Sequence, residues 1–182
     1  MSTETDTSSA FGISGSTGWV VGGAVGGAVG AAVFGFLMWL VDPAAVAVAI
    51  PEIYGLEPFS AVGWAMHIAH GVVLGLVFGF LVTRNLILGT LRTEVETDAL
   101  SQTSVGLRLV GAGFVFGLAV WAILPLLILP VWADAMGGGA GGFPTAAAES
   151  LIGHLLFGTV LGLVFATIVD LSDRRTGEPL EE

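Results

Sequence analysis

The stretch HIAHGVVLGLVFG at residues 67–79 decides how this chain folds. His67, Gly71, Gly75 and Gly79 recur at every fourth position, so they form one stripe along one face of a helix. The chain writes the stretch again as HLLFGTVLGLVFA at 154–166. His154, Gly158 and Gly162 each follow His67, Gly71 and Gly75 at one constant offset (154 − 67 = 87), and LGLVF is identical in both copies. A histidine-headed, glycine-striped helix therefore occurs twice.

The likeness extends to the segment before each stripe. Val33-Phe34-Gly35 and Trp39 match Val115-Phe116-Gly117 and Trp121 at an offset of 82, and Pro43 matches Pro125. The change of offset from 82 to 87 implies five extra residues in the second outer loop, where Gly137–Gly142 lies. Each unit reads helix–outer loop–helix, so both copies insert the same way up. Two parallel repeats predict a pseudo-two-fold axis along the membrane normal, and two such hairpins predict an all-α, integral membrane four-helix bundle.

Composition points the same way. Of the 182 residues 54% are hydrophobic, 28 are glycine, and mean hydropathy is +0.92. No Asp, Glu, Lys or Arg falls within 18–41, 60–83, 109–133 or 150–169. Uncharged runs of that length read as transmembrane helices; a 24-residue helix is about 36 Å long, enough to cross a hydrocarbon core of about 30 Å. The expected organisation is a disordered cytoplasmic tail at 1–17, hairpin repeat 1 at 18–83, a cytoplasmic linker at 84–105, hairpin repeat 2 at 106–170 and a second cytoplasmic tail at 171–182. Ala47-Val48-Ala49 resembles a signal-peptidase site. The preceding run is nevertheless expected to stay as a mature helix, because it is too long, lacks a basic n-region and has an internal copy.

Charge sets orientation and excludes partners. The basic residues Arg84, Arg92, Arg108, Arg174 and Arg175 all fall on one side of the expected bundle. The positive-inside rule then places both termini and the linker in the cytoplasm of a multi-pass cell-membrane protein. Trp39, Trp64 and Trp132 near the outer boundary and Trp19 near the inner one fit interfacial anchoring. A net charge of −10 argues against nucleic acid as a partner. The acidic, lysine-free composition suggests a high-salt cytoplasm, in which screening relieves self-repulsion. Cysteine is absent, which excludes disulfides, thiolate nucleophiles and cysteine-ligated metals.

The glycines Gly22, Gly26, Gly30, Gly71, Gly75, Gly79, Gly158 and Gly162 are helix-packing candidates, because small residues let helices approach closely where lipid offers no hydrophobic drive. Packing within one chain is the expectation, and a homo-oligomer contact is the sharper alternative. The candidate intramembrane polar site comprises His67, His70 and His154, with Glu149 and Glu52 at the outer mouth. The repeat histidines are expected to be buried and equivalent. Each would bond across to the preceding helix of its own hairpin or to its outer loop, where Pro43 and Pro125 free the carbonyls of Trp39 and Trp121. No catalytic constellation is visible, and no dense ligand motif supports a metal on His67, His70, His154 and Glu149. No cofactor is expected; a bis-histidine haem is kept as an alternative.

Residues 51–55 (PEIYG), 63–67 (GWAMH) and 150–154 (SLIGH), with Gly158 and Gly162, resemble a family of small four-helix membrane proteins abundant in haloarchaea. The resemblance covers about 20–170. It implies a four-helix membrane fold and carries over no catalytic residue, because the family has no established activity. Members are sometimes labelled histidine kinase, but this chain has no kinase motif and no loop long enough for an ATP-binding domain. The leading expectation is a non-enzymatic structural or accessory membrane protein, in contact with the lipid bilayer and open to a homo-oligomeric or membrane-protein partner. The alternatives are a small-solute or ion transporter or channel using the histidines, and the haem carrier.

Overall fold

The computed structural model describes residues 17–84, 105–135 and 148–169. The tails, most of the linker and the Gly137–Gly142 cluster lie outside the described residues. Four long helices make up the described chain: α1 (Gly18–Val41), α2 (Ser60–Val82), α3 (Val105–Ile123) and α4 (Ala148–Ile168). After Ile123, a π-helical turn at Leu124–Ile128 carries α3 into Leu129–Ala135. All four are long and apolar enough to cross a membrane.

Residue size, not polarity, distinguishes the faces of α1. Val20, Val21, Val25, Val29 and Val33 are exposed, whereas Gly22, Gly23, Gly26, Gly27, Gly30 and Ala31 are buried. In lipid this arrangement is productive: bulky side chains meet acyl chains while the small ones admit a neighbouring helix. α1 carries two such stripes, one for each neighbour. Gly23 and Gly27 face α2, where a methyl group on Gly23 would stand 2.5 Å from the Gly75 carbonyl oxygen and one on Gly27 would collide with that of Gly71. Gly22, Gly26 and Gly30 face α4 and receive Phe165, Leu161 and Phe157. On the other side of α4, Gly158 and Gly162 meet Gly113, Gly117 and the Leu109 carbonyl of α3. Gly79 approaches the Trp19 carbonyl. Every glycine of the expected packing set therefore faces another helix of the same chain.

These contacts order the helices α2–α1–α4–α3, with neighbours antiparallel. The ring stays open between α3 and α2, which touch only lightly. There Phe78 meets Phe116, ring centroids 5.4 Å apart. Phe78, Phe157, Leu161 and Phe165 form the core with Ala31, Phe34, Val82, Leu109 and Val169.

Proline shapes the end where α1 stops and α2 begins. Asp42 precedes Pro43, which disfavours helix there, and its backbone is extended (φ −148°, ψ 99°). The Asp42 Oδ1 accepts a hydrogen bond from the Ala44 amide at 2.9 Å. The outer loop then coils as a π-turn, Ala45–Ala49, and a short helical turn, Ile50–Glu52. Pro51 and Pro130 stand at corresponding places just after the two π-turns. A proline there has no amide to give, so the hydrogen-bond ladder before it is re-registered. The third span is thus interrupted by a π-turn. The loop packs on α2 with Val46, Ile50 and Pro51 buried, as its apolar middle suggests.

Candidate functional site

The three histidines lie toward the end of the bundle that carries the loop at 42–59. His67, on α2, and His154, on α4, both turn to α1, where they meet the same side chain. The Phe34 ring makes edge-on contacts with both, at 5.4 Å to His67 and 4.8 Å to His154. Gly153 lies flat against Phe34, and a methyl group there would overlap the ring. Phe34 is 6% exposed, so the space between the imidazoles is filled.

The hydrogen bonding follows the sequence expectation for one histidine and corrects it for the other. His154 Nδ1 pairs with the Ser150 carbonyl at 2.7 Å, one turn back in its own helix and not in the preceding one. His67 hydrogen-bonds the Ala31 backbone of α1, the preceding helix of its hairpin, while its Nε2 is buried with no hydrogen-bond partner. Neither ring takes the carbonyls of Trp39 or Trp121. The reason is depth: His67 sits opposite Ala31 and Gly35, one to two turns below Trp39 along α1. The two histidines share Phe34 but differ in how their polar atoms are satisfied.

His70 belongs to a second cluster. Directly preceding Gly71, it lies about 100° round the helix from the glycine stripe and is exposed, and its Nε2 pairs with the Tyr54 hydroxyl at 2.5 Å. The two rings stack with centroids 5.6 Å apart. Trp132, beyond α3, lies 6.3 Å from Tyr54 and donates its indole N–H to the Ile53 carbonyl at 2.9 Å. This cluster bridges α2 and the chain beyond α3 on the lightly packed side, at the end that carries the loop at 42–59.

Local sequence explains why Tyr54 is there. The Leu56 amide bonds back to the Pro51 carbonyl (3.1 Å) and the Gly55 amide to that of Glu52 (3.0 Å). With Gly55 at φ 66°, these bonds make a Schellman C-cap, which only glycine enters without strain. The cap ends the turn and projects Tyr54 from its last position toward His70. Burial raises the Tyr54 phenol above its ordinary value of 10.0.

Glu52 and Glu149 are exposed and bond to none of the histidines. Among the described residues no three His, Asp or Glu side chains gather as a metal set would require. Sequence reading selected the histidines but missed Phe34, Tyr54 and Trp132. A signal existed for Phe34, which opens the matched Phe-Gly pairs at 34–35 and 116–117. None existed for the pairing of Tyr54 with Trp132, which are 78 positions apart (132 − 54).

A chain whose described residues form four membrane-length apolar helices, with glycines at the helix contacts and many bulky apolar side chains facing outward, is a multi-pass membrane protein in class. Comparison with protein-family models, curated proteins and solved structures finds no match to this chain.

Proposed function

We propose that this is a non-enzymatic, structural or accessory protein of the cell membrane, with both termini in the cytoplasm, and a member of the haloarchaeal family that it resembles. The observation carrying the non-enzymatic reading is Phe34: the two repeat histidines close on a phenyl ring instead of on an open path or a slot. A porphyrin between His67 and His154 would have to displace it. A conduction path past the histidines would have to do the same.

We further propose that 18–83 and 106–170 are two copies of one hairpin. Supporting this, Gly71 against Ala31 and Gly158 against Gly113 are one contact under the two offsets, as are Gly75 against Gly27 and Gly162 against Leu109. The pseudo-axis relating them is approximate, because the α1–α4 interface is close and the α2–α3 interface is not. The offsets match Gly26 to Arg108 and Gly30 to Ala112. Larger residues on that face of α3 keep its α2 side from closing as tightly.

Purified protein should show no Soret band, and proteoliposomes containing it should pass protons no faster than empty ones. A Soret band lost in His67→Phe or His154→Phe would establish the haem reading instead. A proton flux lost in those variants would establish the transport reading.

A further inference from the structure

We propose that Trp19, Phe80 and Arg84 form a binding site for the phosphate of an anionic phospholipid, in the leaflet where α1 begins and α2 ends. The proposal rests on the reading that these helices cross a bilayer. Arg84 follows the last turn of α2, and its guanidinium carbon lies 3.6 Å from the centroid of the Phe80 ring. Phe80 in turn meets Trp19 edge-on at 6.3 Å. A guanidinium resting on a ring has one face occupied and its orientation fixed, while its N–H edges stay free to chelate a phosphate. Arg84 makes no ion pair with any described residue, and the Trp19 indole makes no hydrogen bond to one.

Charge and position select the occupant. Asp42, Glu52, Glu57 and Glu149, the carboxylates with described side chains, belong to the opposite end of the bundle, and the chain's other acidic residues lie outside them. The described charges at this end are Arg84 and Arg108. Phe80, Val77 and Leu81 are 45%, 44% and 38% exposed, so an apolar outer surface leads directly to the guanidinium. A lipid satisfies both parts, with acyl chains along Val77 and Phe80 and phosphate on Arg84. An acidic, water-soluble protein segment matches only the charge.

The test is native mass spectrometry of the full chain released from neutral-detergent micelles, titrated with phosphatidylglycerol, phosphatidylcholine or inorganic phosphate. Wild type should retain phosphatidylglycerol preferentially. Arg84→Gln should weaken that retention about fivefold, the weight of one basic residue at a lipid surface. Phe80→Leu should weaken it less, and phosphatidylcholine adducts should not change. Thermal melting of each variant in lipid-free detergent reports whether it still folds. Unchanged phosphatidylglycerol retention in a folded Arg84→Gln protein would overturn the proposal. Equal competition by inorganic phosphate would overturn the assignment to lipid. A protein that carbonate strips from membranes would instead sink the bilayer reading.

Discussion

Replacing Gly27 by alanine tests the central packing claim most directly, because a matched control exists in the same chain. At Gly27 the added methyl would collide with the Gly71 carbonyl oxygen and lie 3.0 Å from the Gly75 Cα. Both obstacles are backbone, so neither can rotate away, and α1 and α2 must separate along the contact. Overpacking of this kind costs about 1–3 kcal/mol. Alanine also favours helix over glycine by about 1 kcal/mol, which offsets part of the loss. At Gly111, on α3, an added methyl meets nothing within 4 Å, so Gly111→Ala keeps the propensity gain without the clash. The difference between the two variants removes propensity and leaves the clash, about 1–3 kcal/mol in favour of Gly111→Ala. Unfolding followed by circular dichroism in a titration of sodium dodecyl sulfate into a mild detergent reads both on one scale. If Gly27→Ala unfolds at the same detergent fraction as Gly111→Ala, α1 and α2 do not meet through these glycines.

Further outcomes follow from the two clusters and the topology. His154→Phe removes a hydrogen bond to the Ser150 carbonyl and should cost about 1 kcal/mol in the same titration. His67→Phe removes the bond to the Ala31 backbone together with a buried nitrogen that has no partner, so it should cost less than His154→Phe; equal losses in the two variants would refute the difference drawn between them. Tyr54 is an acid whose folded value lies above 10.0, so the folded state holds its proton longer than the unfolded one. Stability should therefore fall as pH rises through about 10, and Tyr54→Phe should flatten that limb of the pH–stability curve. A single cysteine at Gly55 should react with an impermeant thiol reagent on intact cells and one at Thr97 should not; labelling at Thr97 would reverse the proposed orientation.

The spans were legible because lipid imposes a simple rule: a segment either lacks charges for some twenty residues or does not cross. α1 ends where the charge-free run does, just before Asp42, and Pro43 behind it fixes that end. The glycine stripes were legible as contact faces, since a four-residue spacing has one geometric meaning on a helix. Which neighbour each stripe would meet was not. Gly22 and Gly23 look interchangeable in the sequence, yet one face receives the side chains of α4 and the other the backbone of α2. That assignment depends on where the fourth helix docks, which no local pattern encodes. The partners of the histidines were illegible for a related reason. A hydrogen bond is decided by a rotamer, and His154 had an acceptor four residues back in its own helix, closer than any carbonyl freed by proline.

Phe34 fills the space between two histidines at this depth. An aromatic ring offers its edge and face to imidazoles as a phenyl neighbour in any core does, so both rings are packed even where one nitrogen is not bonded. The corresponding ring in the other unit, Phe116, has no such pair to separate: it meets Phe78 across the lightly packed side. Matched sequence has therefore been put to different use on the two flanks of the bundle. On the α1–α4 flank, glycines draw the helices together around Phe34. On the α2–α3 flank, Tyr54, His70 and Trp132 join the elements at the end that carries the loop at 42–59, while the helices beyond touch only lightly. Any ligand, lipid or partner helix that enters between helices of this protein meets less resistance between α2 and α3 than along α1, because there no backbone-to-backbone glycine contact has to be broken.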